Sequence, residues 1–207
     1  MTSNLFEINF DKNQSKTTNN LGMREMQERV YEKRASQYLL VKSPPASGKS
    51  RALMFVGLDK LHNQGIKKVV IAVPERSIGK SFKDTELSKF GFYWDWEVKP
   101  SNNLTIGGGE KSKVQHFVKF MNSTDPSDNI LIATHATLRF AFEELDDSLF
   151  DNTLLAIDEF HHVSRDDNSV LGNALRSIML NSNAHILAMT GSYFRGDSVQ
   201  ILEPADE

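Results

Sequence analysis

Short apolar runs separated by amphipathic stretches dominate the chain. Residues 38–41 form a brief apolar run that ends in Lys42 and a Ser-Pro-Pro-Ala-Ser-Gly turn. From Lys49 onward Ala52, Leu53, Val56, Leu58 and Leu61 recur at helical spacing until Gly65. That pattern predicts strand, loop, helix. A second β-branched run at 68–73 is broken by Pro74, and a polar stretch at 76–89 reads as a helix. Further on, a helix is predicted at 111–121, a strand at 130–133 and an amphipathic helix near 136–145. A strand at 153–157, a helix at 170–180 and a strand at 185–189 complete the alternation. Ahead of it, Met23, Met26, Val30 and Tyr31 give 23–36 the look of a surface helix, whereas 90–103 fits no simple period. Strands apolar on both faces, separated by helices, predict an α/β fold: a parallel β-sheet covered by helices on both sides.

Composition narrows the class. The chain has 207 residues, 39% hydrophobic and 25% charged, as expected of an ordinary globular protein with one core. Cysteine is absent, which excludes disulfides, a thiolate nucleophile, iron–sulfur clusters and Cys-ligated zinc. The longest apolar runs are too short to cross a bilayer, and the polar leader 1–20 does not look like a secretion signal, so no membrane role and a cytoplasmic location are expected. Twenty-four Lys and Arg against 27 Asp and Glu leave a net charge of −3, so any nucleic-acid contact has to be local.

Two segments carry chemistry. Ser43-Pro44-Pro45-Ala46-Ser47-Gly48-Lys49-Ser50 matches the phosphate-binding loop (Walker A) except that Ser43 stands where the first glycine is usual. A triphosphate needs backbone N–H groups aimed into one concavity, a helix N-terminus, a lysine for the outer phosphates and a hydroxyl for Mg²⁺. Prolines have no N–H, so Ala46, Ser47, Gly48, Lys49 and Ser50 must supply the donors. The second segment, Leu154 to Ile157 followed by Asp158-Glu159, sets adjacent carboxylates at the C-terminal end of a buried strand, where parallel sheets bind ligands. One carboxylate can hold Mg²⁺ while its neighbour deprotonates the attacking water. His161 and His162 lack companions at zinc spacing. Gly109-Glu110-Lys111-Ser112 imitates the phosphate loop, but Glu110 separates its glycine from its lysine.

These residues resemble the N-terminal RecA-like domain of superfamily two helicases and translocases, the group with DEAD-box, DEAH-type and type III restriction motor members, over about 23–192. Gly48-Lys49-Ser50 resembles motif I, Asp158-Glu159-Phe160-His161 motif II and Thr190-Gly191-Ser192 motif III, in the family's order. Arg24 and Gln27 resemble the R-x-x-Q element that reads adenine, and a Gln amide can pair with both N6 and N7. Ala72-Val73-Pro74-Glu75-Arg76 looks like motif Ia, Gly107-Gly108-Gly109 like the glycine doublet, and Thr134-His135-Ala136-Thr137-Leu138 like motif Ib. Such loops can grip a sugar–phosphate backbone without reading bases.

The resemblance implies an ATP- and Mg²⁺-dependent hydrolase coupled to movement on nucleic acid, DNA in preference to RNA. Lys49 would bind the outer phosphates, Ser50 and Asp158 would hold Mg²⁺, and Glu159 would be the general base. Arg76, Gly108 and Thr134 would meet nucleic acid, and His161, Thr190 and Ser192 would couple nucleotide state to movement. The domain is expected to fill 21–207, with a second RecA-like domain belonging to a longer chain and weak turnover in isolation. Restriction-enzyme motors and phage or mobile-element helicases look most similar. The aromatic residues Phe90, Phe92, Tyr93, Trp94 and Trp96 read either as core or as base-stacking surface. Lysines 67, 68, 80, 83, 89, 111 and 113 read either as a basic face or as solvated helix surface. A phosphate-loop ATPase that drives transport or assembly, and a binding module that has lost turnover, are the competing classes.

Overall fold

A computed structural model describes residues 19–44, 46–160 and 170–191. It contains one five-stranded sheet in the order β1-β5-β4-β2-β3, with every neighbouring pair parallel. The strands are β1 (Tyr38–Lys42), β2 (Lys68–Val73), β3 (Ile130–Thr134), β4 (Thr153–Ile157) and β5 (His185–Thr190). The helices are α1 (Glu25–Glu32), α2 (Lys49–Asn63), α3 (Glu110–Asn122), α4 (His135–Phe142) and α5 (Val170–Asn181). Among the described residues no helix is long and apolar enough to cross a membrane.

Alternation along the buried strands divides the core in two. Val69, Ile71 and Val73 of β2 point to the face covered by α1 and α2, where Leu53, Phe55 and Val56 meet them. Val70 and Ala72 point to the other face, packed by Val114 and Phe117 of α3, Leu138 of α4, and Leu175 and Ile178 of α5. The central strands β4 and β2 have no water on either side, which is why they are continuous runs of Leu, Ile, Val and Ala.

One expectation is corrected. The polar stretch 76–89 is not a helix: it forms short 3-10 turns at Ile78–Phe82 and Ser88–Phe90, joined by a backbone pair between Thr85 and Trp96. Trp96 is fully buried, and its indole N–H donates to the Phe82 carbonyl at 3.1 Å, so the loop is organised around an aromatic anchor rather than a helical face. Of the lysines left open between a basic face and solvated surface, two are neither. Lys68 donates to the carbonyls of Phe120, Met121 and Ser123 at 2.6, 2.6 and 2.9 Å, closing the C-terminus of α3, and Lys113 is buried.

Candidate functional site

All five strands run the same way, so their C-terminal ends and the loops that follow converge on one edge of the sheet. Backbone hydrogen bonds tie these ends together. Ser43 N–H donates to the Thr190 carbonyl at 3.0 Å, and Asp158 N–H donates to the Ala72 carbonyl at 2.9 Å. The loop after β1 is therefore fixed against the end of β5, and the acidic pair against the end of β2.

In the phosphate loop, Ala46 (φ 61°) and Gly48 (φ 92°) both take left-handed backbone angles, and Gly48 caps the N-terminus of α2. Glycine is required at 48 on two counts. Its φ is one that side chains disfavour, and a Cβ there would lie 2.5 Å from Gln27 Nε2. Ser43 Oγ donates to Ser47 Oγ at 2.5 Å, so the serine that replaces the usual first glycine braces the loop from within.

Lys49 begins α2 and is buried. Its ammonium donates to Glu159 Oε1 at 2.8 Å and to the Ser43 carbonyl at 3.4 Å. Residues separated by most of the chain thus meet across β1, β5 and β4. Asp158 is buried beside them, and its Oδ1 accepts from the Glu159 N–H at 3.1 Å. Burial and the adjacent Glu159 charge push the Asp158 carboxyl above the usual carboxylate range, against the opposing pull of Lys49 and of that N–H. A carboxylate destabilised in this way is suited to receive a divalent cation. Among the described residues no three His, Asp or Glu side chains gather at metal-binding distance. One carboxylate and one hydroxyl, from Asp158 and Ser50, fit Mg²⁺, which keeps waters and shares phosphate oxygens instead of filling an all-protein cage.

At the start of α1, Gln27 is 1% exposed, and its amide works at both ends. Oε1 accepts from Arg24 N–H at 2.9 Å, and Nε2 donates to the Gly48 carbonyl at 3.1 Å. Helix α1 is thereby fastened to the phosphate loop. These two contacts use one amide hydrogen and one lone pair of Gln27.

The three loops singled out for nucleic acid lie beyond β2 and β3. Arg76 is exposed and borders a cavity of about 640 Å³ that Lys80, Lys83, Asn103 and Thr105 also line. Gly107 and Gly108 have positive φ and precede α3, while Thr134 is buried and caps α4 by accepting from Thr137 N–H at 3.2 Å. Thr137 donates in turn to the Glu110 carboxylate, linking the start of α4 to the start of α3. These residues form a second group at the same edge, apart from the Lys49–Glu159 contact. His161 and Ser192 lie outside the described residues, and Thr190 ends β5 beside Ser43.

Two residues take places that the sequence reading did not assign to them. His135 Nε2 lies 3.0 Å from the Asp158 carbonyl oxygen, joining the loop after β3 to the acidic pair. Lys113, 3% exposed, has no hydrogen-bond partner for its ammonium, and burial together with the nearby Arg76 charge depresses its pKa. His135 stood inside the Thr-His-Ala-Thr segment but carried no signal of its own. Lys113 was named only as one of seven lysines, and its burial follows from the packing of α3.

A parallel sheet with a phosphate loop after its first strand, and an acidic pair on a nearby strand facing that loop's lysine, defines a RecA-like ATPase domain. The chain belongs to the DEAD/DEAH box helicases, whose family model matches residues 24–197. It is 67% identical over 205 residues to a Bacillus subtilis (strain 168) protein named "Putative ATP-dependent helicase YeeB". That alignment covers 99% of this chain and 34% of the relative's length. The fold is shared with the UvsW helicase of bacteriophage T4, at TM-score 0.53 and 17% identity over 86% of this chain and 57% of that one. It is shared also with the Hef helicase domain of Pyrococcus furiosus, at TM-score 0.56 and 18% identity over 80% and 32%.

Proposed function

We propose that this domain binds Mg²⁺ and ATP at the Lys49–Asp158–Glu159 edge and couples hydrolysis to movement along nucleic acid, DNA in preference to RNA. The observation that carries this reading is the 2.8 Å contact between Lys49 and Glu159, which brings the two sequence motifs into one site. Arriving phosphates take over Lys49 and the N–H groups of Ala46 to Ser50, and so release Glu159 from its ion pair. The freed carboxylate is then available to orient the attacking water and accept its proton. Ser50 and Asp158 would hold Mg²⁺, which supplies charge neutralisation at the phosphate oxygens. Arg24 and Gln27 approach the base.

Arg76, Gly108 and Thr134 would meet the nucleic-acid backbone, Arg76 by charge and the two loops by backbone groups. Two contacts support coupling between the sites: His135 with the Asp158 carbonyl, and Ser43 with Thr190. Thr190, His161 and Ser192 are proposed to transmit nucleotide state. The 34% coverage of the Bacillus relative supports a second RecA-like domain as partner in a longer protein, completing the site and the track.

Equilibrium binding of a fluorescent ATP analogue tests the assignment. Lys49→Ala should abolish binding, while Glu159→Gln, which removes the lysine's competing carboxylate, should retain or tighten it and stop turnover. Undiminished affinity in Lys49→Ala would refute the site.

A further inference from the structure

Beside the phosphate loop lies a group of residues that the phosphate and metal chemistry leaves unused. Arg51 directly follows Ser50 in the first turn of α2, and its guanidinium carbon sits 4.5 Å from the centre of the Phe90 ring. Its Nε and Nη2 are buried and have no hydrogen-bond partner. Arg24 reaches the same place, with Nη1 3.7 Å from where a Cβ on Gly48 would stand. Two cationic side chains are thus held together, and among the described residues neither forms an ion pair with a carboxylate.

Phe90 is 53% exposed, yet it is held firmly. The Phe90-Gly91 turn fits against residues 20–22, which lead into Arg24 and Gln27. Gly22 has φ +72°, and a Cβ there would lie 2.5 Å from Phe90 Cβ and 2.6 Å from the Phe90 carbonyl oxygen. Gly91 has φ +102°, and a Cβ there would collide with the Asn20 carbonyl. On the other side of the turn, Asn19 Oδ1 accepts from the N–H groups of Leu21 and Met23, both at 3.1 Å. Two glycines without room for a side chain therefore dock an exposed aromatic ring between the start of α1 and the start of α2. Of the other aromatic residues of that loop, Phe92 and Trp96 are core and Trp94 stacks on His62, while Tyr93, also exposed, packs its ring on Phe92 and Trp94 rather than beside Arg51.

We propose that Phe90 and Arg51 form the platform on which the base of the bound nucleotide stacks, so that base binding depends on the loop after β2 as well as on α1. This rests on the reading of Ala46 to Ser50 as the phosphate site. A purine offers a π face to the exposed side of the Phe90 ring, with the Arg51 guanidinium held against the ring from behind. The residues sit on the α1 side of the loop, beside Gly48 and Gln27, where a nucleotide with its phosphates on Lys49 would extend its base. The same ring could instead stack a base of a nucleic-acid strand, and the two ligands are separable.

Calorimetric titration of the chain in Mg²⁺ with ADP and with inorganic tripolyphosphate, alongside anisotropy with a single-stranded oligonucleotide, decides between them. Phe90→Ala should weaken ADP about tenfold, from loss of stacking, and leave tripolyphosphate within about twofold. Phe90→Tyr should restore ADP binding. Arg51→Ala should weaken ADP in the same selective way. Unchanged ADP affinity in Phe90→Ala overturns the proposal, as does equal loss of ADP and tripolyphosphate, or loss confined to the oligonucleotide. If the unmodified chain binds neither ADP nor tripolyphosphate, the phosphate-site reading fails first and takes this proposal with it.

Discussion

At Asp158 two demands on one residue conflict. The proposed Mg²⁺ role places a buried carboxylate at the sheet edge, and that burial beside Glu159 raises its pKa. The sign follows from linkage: an acid whose folded pKa lies above its unfolded value contributes least to stability when ionised, so its penalty is fully present at neutral pH and fades as pH falls through the folded pKa. Asp158→Asn should therefore raise the melting temperature of the nucleotide-free domain. For a chain of this size each kcal/mol recovered corresponds to roughly 2–4 °C, and differential scanning calorimetry would read it. The same substitution should remove the Mg²⁺ dependence of ATP binding. A lower melting temperature would show that hydrogen bonding, not charge burial, dominates at this position. The acidic pair itself was legible in the sequence because it follows an apolar strand. The left-handed backbone of Glu159 (φ 50°), which accompanies its approach to Lys49, was not, since no local residue preference announces it.

Among the elements, helix α2 does the most: it begins at the phosphate loop and ends at a buried polar cluster on the opposite side of the sheet. Near that end Lys60 donates to the Ser36 carbonyl at 2.9 Å and lies 2.6 Å from His185 Nδ1, at the start of β5. Burial lowers its pKa to about 8, with Asp59 acting in the other direction. Because the unfolded chain holds the Lys60 proton up to about 10.4, the folded state is penalised at neutral pH. It gains stability as pH rises through about 8 toward that value. Thermal melts should therefore shift upward between pH 7.5 and about 9.5, and Lys60→Met should flatten that slope; a slope unchanged in the variant would exclude Lys60 as its source. The strands were readable because full burial forces continuous apolar runs, and β2 and β4 fall where the pattern put them. The 76–89 stretch was misread because a polar segment with scattered apolar residues fits a helix by period. Its conformation is set instead by distant packing of Phe82, Leu87 and Trp96 onto α2 and β2.

For the whole molecule, the parallel order β1-β5-β4-β2-β3 explains why motifs scattered along the chain act at one edge. The nucleotide group gathers around β1, β5 and β4. The proposed nucleic-acid group gathers around β2 and β3, and β4 touches both through Asp158, by way of Ala72 and His135. Motif order made this arrangement foreseeable in outline. The links between the groups were not foreseeable, because they are backbone carbonyls and a single histidine, and such contacts leave no compositional trace. With a net charge of −3, binding of a polyanion by the proposed local group of Arg76, Lys80 and Lys83 around the cavity should weaken steeply with salt.

The central claim, that one sheet edge joins an ATP site to a nucleic-acid track, is tested most directly by fluorescence anisotropy. Labelled single-stranded and duplex DNA and RNA would be titrated with this chain across a salt series, with and without Mg²⁺ and a non-hydrolysable ATP analogue. The account predicts salt-sensitive binding whose affinity changes when the analogue is present and no longer responds to it in Lys49→Ala. Absence of binding at low salt, or binding indifferent to nucleotide, would contradict it.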